Sequence, residues 1–221
     1  MIEINHAQAY ISLEPEQEQT DTISLYESNY YLHKKSQFEI IPNRYARIVF
    51  LGDSITDECE WKELLAHPRV INRGIAGDTT DGVLNRLDQI LKFQPEKIFL
   101  MIGINDLIKG RSITEVYNFY NRILIEIQKK SPNTRVWIQS VLPINQKRDA
   151  YGLNLDNESV KAFNSKLITL AKDFQFTYID LFSILANEQN QLDEQYTLDG
   201  LHLNGQGYLV WKQVIKEFVW N

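Results

Sequence analysis

Apolar positions along this chain fall into two alternating rhythms. The runs RIVFLGD, RVINRG, KIFLMIG, RVWIQSVLP and FTYIDL have the length of strands and are continuous rather than alternating. Between them lie DECEWKELLAH, TTDGVLNRLDQILKF, SITEVYNFYNRILIEIQKK and ESVKAFNSKLITLAKDF, with GQGYLVWKQVIKEFVW after the last. These read as helices; in the third, Val116, Phe119, Tyr120, Ile123, Leu124 and Ile127 recur at three- and four-residue steps. Buried strands separated by helices predict an α/β fold: a parallel sheet covered on both faces and wound with right-handed crossovers. Ligands in such sheets sit outside the carboxyl ends of the strands. Residues 1–45 are less regular, and YESNYYLHKKSQFEII reads as a Tyr-rich helix laid against the domain, or as the surface of a homodimer.

Composition narrows the possibilities. With 221 residues and 43% hydrophobic side chains the chain can bury one core, so residues 1–221 are read as a single domain. A net charge of -6 without clustered cations argues against nucleic acid or an anionic membrane as partner. The single cysteine, Cys59, leaves no intrachain disulfide and no thiolate cluster for a metal. No window reaches the roughly 18 apolar residues of a membrane span. MIEINHAQAYISLEPEQEQT lacks the basic start and apolar block of a secretory leader, so a cytoplasmic chain is expected unless a leader has been removed.

The first strand ends in IVFLGDSIT, a tight turn that can lift the Ser54 hydroxyl out of the core near a helix start. Ser54 or Asp53 could equally be no more than a helix cap. An aspartyl phosphotransferase would want a second Asp where Ile55 stands, a G-x-S-x-G elbow would want Gly in place of Thr56, and neither a P-loop nor G-x-G-x-x-G is present. A serine nucleophile needs a base. His6, His33 and His67 lie in the irregular terminus, on the Tyr-rich helix and at a helix end, whereas His202 follows Asp199 by three residues in the Gly-rich turn YTLDGLHLNGQGY. One turn apart, the two side chains share a side, so the carboxylate could hold one imidazole nitrogen while the other faces Ser54. Oxyanion donors are available at two further strand ends: the Gly77 backbone in NRGIAGDTT, read as opening a helix, and the Asn105 amide in IGINDL. Each could instead be a turn glycine or a cap asparagine.

Taken together, GDS, GIAGD, GIND and DGLH resemble the SGNH (GDSL-like) hydrolase family, named for the residues that stand here as Ser54, Gly77, Asn105 and His202. The likeness covers nearly all of residues 46–219, and NRGIAGDTTDGVLNRL is most similar to the branch of platelet-activating-factor acetylhydrolase catalytic subunits and bacterial esterases. It implies a three-layer α/β/α flavodoxin-like sandwich with a five-stranded parallel sheet. It also implies serine esterase activity without metal or cofactor: Ser54 as nucleophile, His202 as base, Asp199 as orienting acid, and Ser54, Gly77 and Asn105 as the oxyanion hole. The first block reads GDSI where GDSL is frequent and the third GIND where GTND or GEND is, but both keep the named residue. The expected substrate is a small ester, an acetyl or short acyl ester of a lysophospholipid or carbohydrate. Acyl transfer from the same acyl-enzyme, or noncatalytic carbohydrate or lipid binding, are the alternatives. Glu58, Trp61, Ile104, Leu107, Ile108, Leu201 and the long segment 143–156 are candidates to shape the pocket, with Lys147 and Arg148 meeting a polar or anionic alcohol moiety such as a sugar or a lysophospholipid head.

Overall fold

A computed structural model describes residues 28–41 and 47–221. His6 and the rest of the irregular amino-terminal stretch lie outside the described residues, whereas the Tyr-rich segment is helix α1, Asn29–Ile40. Strands β1 (Ile48–Gly52), β2 (Val70–Gly74), β3 (Lys97–Met101), β4 (Arg135–Gln139) and β5 (Thr177–Ile179) pair in parallel in the order β2-β1-β3-β4-β5. This is the doubly wound, flavodoxin-like order, in which the chain reverses its winding direction between β1 and β3 and leaves a crevice at their carboxyl ends.

The central strands β1 and β3 are buried at every position because both faces are covered, whereas the edge strands β2 and β5 keep half-buried or exposed positions. On one face Phe50, Phe99 and Trp137 stand in register on β1, β3 and β4 and stack at centroid distances of 4.9 and 4.9 Å. Trp61 of α3 (Trp61–Leu64) extends the stack onto Phe50 at 4.1 Å and meets Trp211 of α10 (Gly205–Trp220) edge-on at 4.7 Å. On the other face α7 (Ile113–Lys130) and α8 (Asn157–Asp173) meet through Tyr120 and Phe163. Each such aromatic pair adds roughly 0.5–1.5 kcal/mol beyond its buried area. Trp61 is therefore core rather than pocket, at 1% exposure, and Ile104 is buried as well.

Two of the expected helices are divided. DECEWKELLAH yields only α3, preceded by the separate turn of α2 (Ser54–Asp57), and the next helix bends at Leu87 into α4 (Thr80–Arg86) and α5 (Asp88–Leu91). Short helices α6 (Ile104–Ile108) and α9 (Phe182–Leu185) have no counterpart in the sequence reading, being too brief to show a helical period. Glycine is required where α2 sits down on β2: a Cβ at Gly74 would collide with the Asp57 backbone nitrogen. No helix of the described residues is long and apolar enough to cross a membrane.

Candidate active site

The residues singled out at four strand ends meet at the carboxyl side of the sheet. Ser54 opens α2, but the cap of that helix is Asp53, whose Oδ1 accepts the Ile55 N–H at 3.1 Å. The Ser54 hydroxyl is thereby released from capping. His202 Nε2 lies 2.9 Å from Ser54 Oγ, and His202 Nδ1 lies 2.8 Å from Asp199 Oδ2. Serine, imidazole and carboxylate form one hydrogen-bonded line. This arrangement can carry the serine proton onto the imidazole while the carboxylate balances the charge that forms there.

The geometry that holds Asp199 and His202 together is not the helical turn expected from their spacing. Residues 197–204 are an irregular turn in which Asp199 Oδ1 accepts the backbone N–H groups of Leu201 and His202 at 2.9 and 2.8 Å. Gly200 takes φ +86° at its centre, and a Cβ there would meet the backbone of Asn145, Arg148 and Asp149 on the long loop that follows β4. Burial alone would raise the Asp199 carboxyl, but hydrogen bonds from the His202 ring and from the two backbone amides outweigh it. They hold Asp199 well below the usual carboxylate range.

Gly77 does not open a helix. It stands three residues ahead of α4, whose cap is Thr79. The Asp78 N–H donates to the Ile75 carbonyl at 3.1 Å, and Gly77 takes φ +77° while Ala76 is not left-handed. Residues 75–78 are thus a type II turn with glycine at the position that needs it. Among the described residues the backbone N–H groups of Gly77 and Ser54 donate to no protein acceptor. Asn105 is not a cap either; Gly103 occupies that position of α6, and Asn105 Nδ2 donates to the Asp78 carbonyl at 2.9 Å, tying the third strand end to the turn. Of the remaining histidines, His33 is on α1 and His67 is buried against the Trp220 ring at 4.7 Å.

Behind the turn lies a set of buried charges. Asp78 pairs with Arg86 at 2.8 Å, and Arg86 Nη2 also donates to the Gly52 carbonyl at 3.1 Å. Asp106 accepts the Thr80 N–H and hydroxyl and pairs with Arg111 at 2.9 Å. Burial, then the charges of Asp78 and Asp106, push the Asp53 carboxyl up to about 8. An acid whose folded pKa is raised binds its proton more tightly when folded, so folding loses stability from Asp53 as pH rises from about 4 to 8. Asp53→Asn keeps the acceptor for Ile55 and removes this loss. Its melting temperature relative to wild type is expected to climb across that pH range in parallel thermal scans, and a pH-independent difference would refute the assignment.

Two further side chains flank the line. Tyr151, on the loop after β4, donates its hydroxyl to Asp199 Oδ2 at 3.1 Å and sets its ring edge-on to His202 at 5.8 Å. The length of segment 143–156 was the only sequence signal for it. Glu58 Oε1 lies 3.7 Å from His202 Nε2 and, with Leu198, Leu203 and Asn204, lines a cavity of about 160 Å³ beside the histidine. A larger hollow of about 510 Å³, lined by Leu107, Arg111, Leu153 and Leu155 among others, includes none of Ser54, Asp199 and His202 and is set aside as the reaction site. Leu201 is buried, Ile108 packs against the core, and Lys147 and Arg148 are exposed, with Arg148 paired to Glu194 at 2.9 Å.

The chain is similar to several known proteins. The chain is 28% identical over 206 residues to an N-acylneuraminate cytidylyltransferase of Escherichia coli O18:K1:H7 (strain RS218 / NMEC), a match covering 89% of this chain but only 45% of that one. To the platelet-activating factor acetylhydrolase IB subunit alpha2 of Rattus norvegicus it is 25% identical over 167 residues, covering 73% of this chain and 70% of the other. A solved chain from Streptococcus pneumonia with a platelet-activating-factor designation superposes with a TM-score of 0.78 at 28% identity, over 85% of this chain and 92% of that one. A GDSL-like lipase from Bacteroides thetaiotaomicron VPI-5482 shares the fold with a TM-score of 0.72 at 21% identity, over 86% and 97% of the two chains. The model of the GDSL-like lipase/acylhydrolase family matches residues 50–210, which include Ser54, Gly77, Asn105, Asp199 and His202, and the chain belongs to that family.

Proposed function

We propose that the protein is a serine esterase that cleaves short acyl esters through an acyl-enzyme. The observation that carries this reading is the continuous line from Ser54 Oγ through the His202 ring to Asp199 Oδ2, at 2.9 and 2.8 Å. Ser54 Oγ attacks the ester carbonyl carbon as His202 Nε2 takes its proton. The carbonyl π electrons move to oxygen, and the resulting oxyanion is met by the backbone N–H groups of Ser54 and Gly77 and the side-chain amide of Asn105. Collapse of the tetrahedral intermediate expels the alcohol, which receives the proton from His202. Water, deprotonated by the same imidazole, then releases the acid and restores Ser54. The acetylhydrolase names among the relatives favour an acetyl or similarly short acyl group.

Wild-type hydrolysis of p-nitrophenyl esters from acetate to octanoate tests the reading, with turnover expected to fall as the acyl chain lengthens. Asn105→Ala should lower kcat for the acetate ester by roughly a hundredfold to a thousandfold with a small change in KM, because an oxyanion donor acts on charge that develops only in the transition state. Full activity in Asn105→Ala would remove it from the hole. A flat chain-length profile would remove the short-acyl assignment.

A further inference from the structure

Helix α1 is joined to the rest of the molecule in an unusual place. Its buried face, Tyr31 and Phe38, does not enter the main core but forms a separate cluster with Ile75, the first residue of the turn that carries Gly77. The Tyr31 hydroxyl donates to the Gly82 carbonyl at 2.8 Å, and the Arg73 guanidinium lies over the Phe38 ring at 4.4 Å. A second connection runs through Asp57, the last residue of the nucleophile's helix. Asp57 Oδ2 accepts the Tyr30 hydroxyl at 2.6 Å and the Ala76 N–H at 3.2 Å, and Asp57 Oδ1 pairs with Lys34 Nζ at 2.7 Å. The Asp57 side chain is 7% exposed, so these contacts are partly shielded from water.

The consequence follows from the turn type. In a type II turn the central peptide, here Ala76 to Gly77, is the unit that reverses when the turn converts to type I, and its N–H is the Gly77 donor. Glycine at the third position tolerates either sign of φ, so the glycine does not choose the orientation. Neighbouring contacts must choose it. Lys109 on the Gly77 carbonyl at 3.3 Å and Asn105 on the Asp78 carbonyl hold the far side of the turn, and Asp57 holds the near side at Ala76.

We propose that α1 is a latch on the oxyanion turn, with Tyr30 and Lys34 fixing the Asp57 carboxylate so that it anchors Ala76 and keeps the Gly77 N–H turned toward the acyl oxygen. Tyr30, Lys34 and Asp57 are positioning residues in this scheme, none of them touching substrate. The proposal rests on the esterase reading above, and it makes the amino-terminal helix a determinant of turnover rather than a packing accessory.

The test is steady-state hydrolysis of p-nitrophenyl acetate by wild type, Tyr30→Phe, Lys34→Arg and the combined Tyr30→Phe, Lys34→Met variant. Tyr31 and Phe38 are left intact so that α1 stays docked. The combined variant is expected to lose about tenfold in kcat, part of the loss seen when a whole oxyanion donor is removed. KM should stay within twofold, with Lys34→Arg close to wild type and melting temperatures little changed. A kcat reduced less than threefold, a loss expressed mainly in KM, or Lys34→Arg as impaired as the combined variant overturns the latch. Should the combined variant fold poorly, Tyr30→Phe alone decides at the same threefold boundary in kcat. Wild type separates the two readings: absence of turnover and of fluorophosphonate labelling sinks the esterase and the latch together, whereas an active wild type with unimpaired variants sinks the latch alone.

Discussion

Ser54→Ala is expected to lose ester hydrolysis and fluorophosphonate labelling together, with kcat reduced on the order of 10⁵-fold to 10⁶-fold, as in other hydrolases whose serine and histidine act as a unit. Among the described residues the hydroxyl hydrogen-bonded to His202 Nε2 is that of Ser54, at 2.9 Å, while the Glu58 carboxylate stands farther off at 3.7 Å. A residual rate above that of water is still expected, because the proposed oxyanion donors of Gly77 and Asn105 survive the change. The fold should survive as well, since the α2 cap belongs to Asp53 and alanine suits a helix start. Intact-mass analysis after labelling is the direct readout. A variant that still gains one phosphonyl group, or still turns over acetate ester within a hundredfold of wild type, would place the nucleophile elsewhere.

Arg86→Leu should produce a large loss of stability. Arg86 and Asp78 are 1% and 0% exposed, and the guanidinium also serves the carbonyl of Gly52 at the end of β1. Burial pushes the Asp78 carboxyl up to about 6, against the lowering effect of Arg86. Removing Arg86 leaves a buried carboxyl without its counter-charge, which typically costs about 3–5 kcal/mol. For a chain of this size that corresponds to a fall in melting temperature of roughly 6–20 °C. Asp78→Asn combined with Arg86→Leu should recover part of the loss, since no charge is then stranded. A fall under about 2 °C for the single variant would mean that water or another cation already compensates Asp78. Because Asp78 ends the Gly77 turn, the surviving folded fraction of Arg86→Leu should also hydrolyse ester more slowly.

Much of this architecture is legible in the chain because it depends on short-range pattern. The five apolar runs coincide with the five parallel strands, most plainly at β1 and β3, where burial on both faces leaves no polar alternation to be read. The long helices Ile113–Lys130 and Asn157–Asp173 are equally plain, because one face of each packs on the sheet. Less visible are the divisions. The helix expected over DECEWKELLAH is interrupted because Asn72 Nδ2 holds the carbonyls of Thr56, Asp57 and Cys59, a set of contacts that no local propensity announces. The five candidate residues stand at glycine-punctuated strand ends, yet the reasons for their geometry differ from those the spacing suggests. Asp199 and His202 are joined by a turn built on carboxylate-to-amide bonds, Gly77 lies in a type II turn, and Asn105 ties two strand ends together.

By itself, then, the sequence determined the layer architecture and the family and nominated Ser54, Gly77, Asn105, Asp199 and His202 as candidates, because hydrophobic period and short motifs are properties of neighbours along the chain. Only the tertiary structure decided that Trp61 belongs to the core, that Tyr151 and Glu58 flank His202, and that α1 reaches the Gly77 turn through Asp57. Those are contacts between residues as much as 150 positions apart in number, as Trp61 and Trp211 are, and they exist only after the sheet has ordered its strands β2-β1-β3-β4-β5. Hydrophobic burial fixes which residues are inside, but it is non-directional, and the direction of each hydrogen-bond donor is settled by partners that only the folded chain brings together.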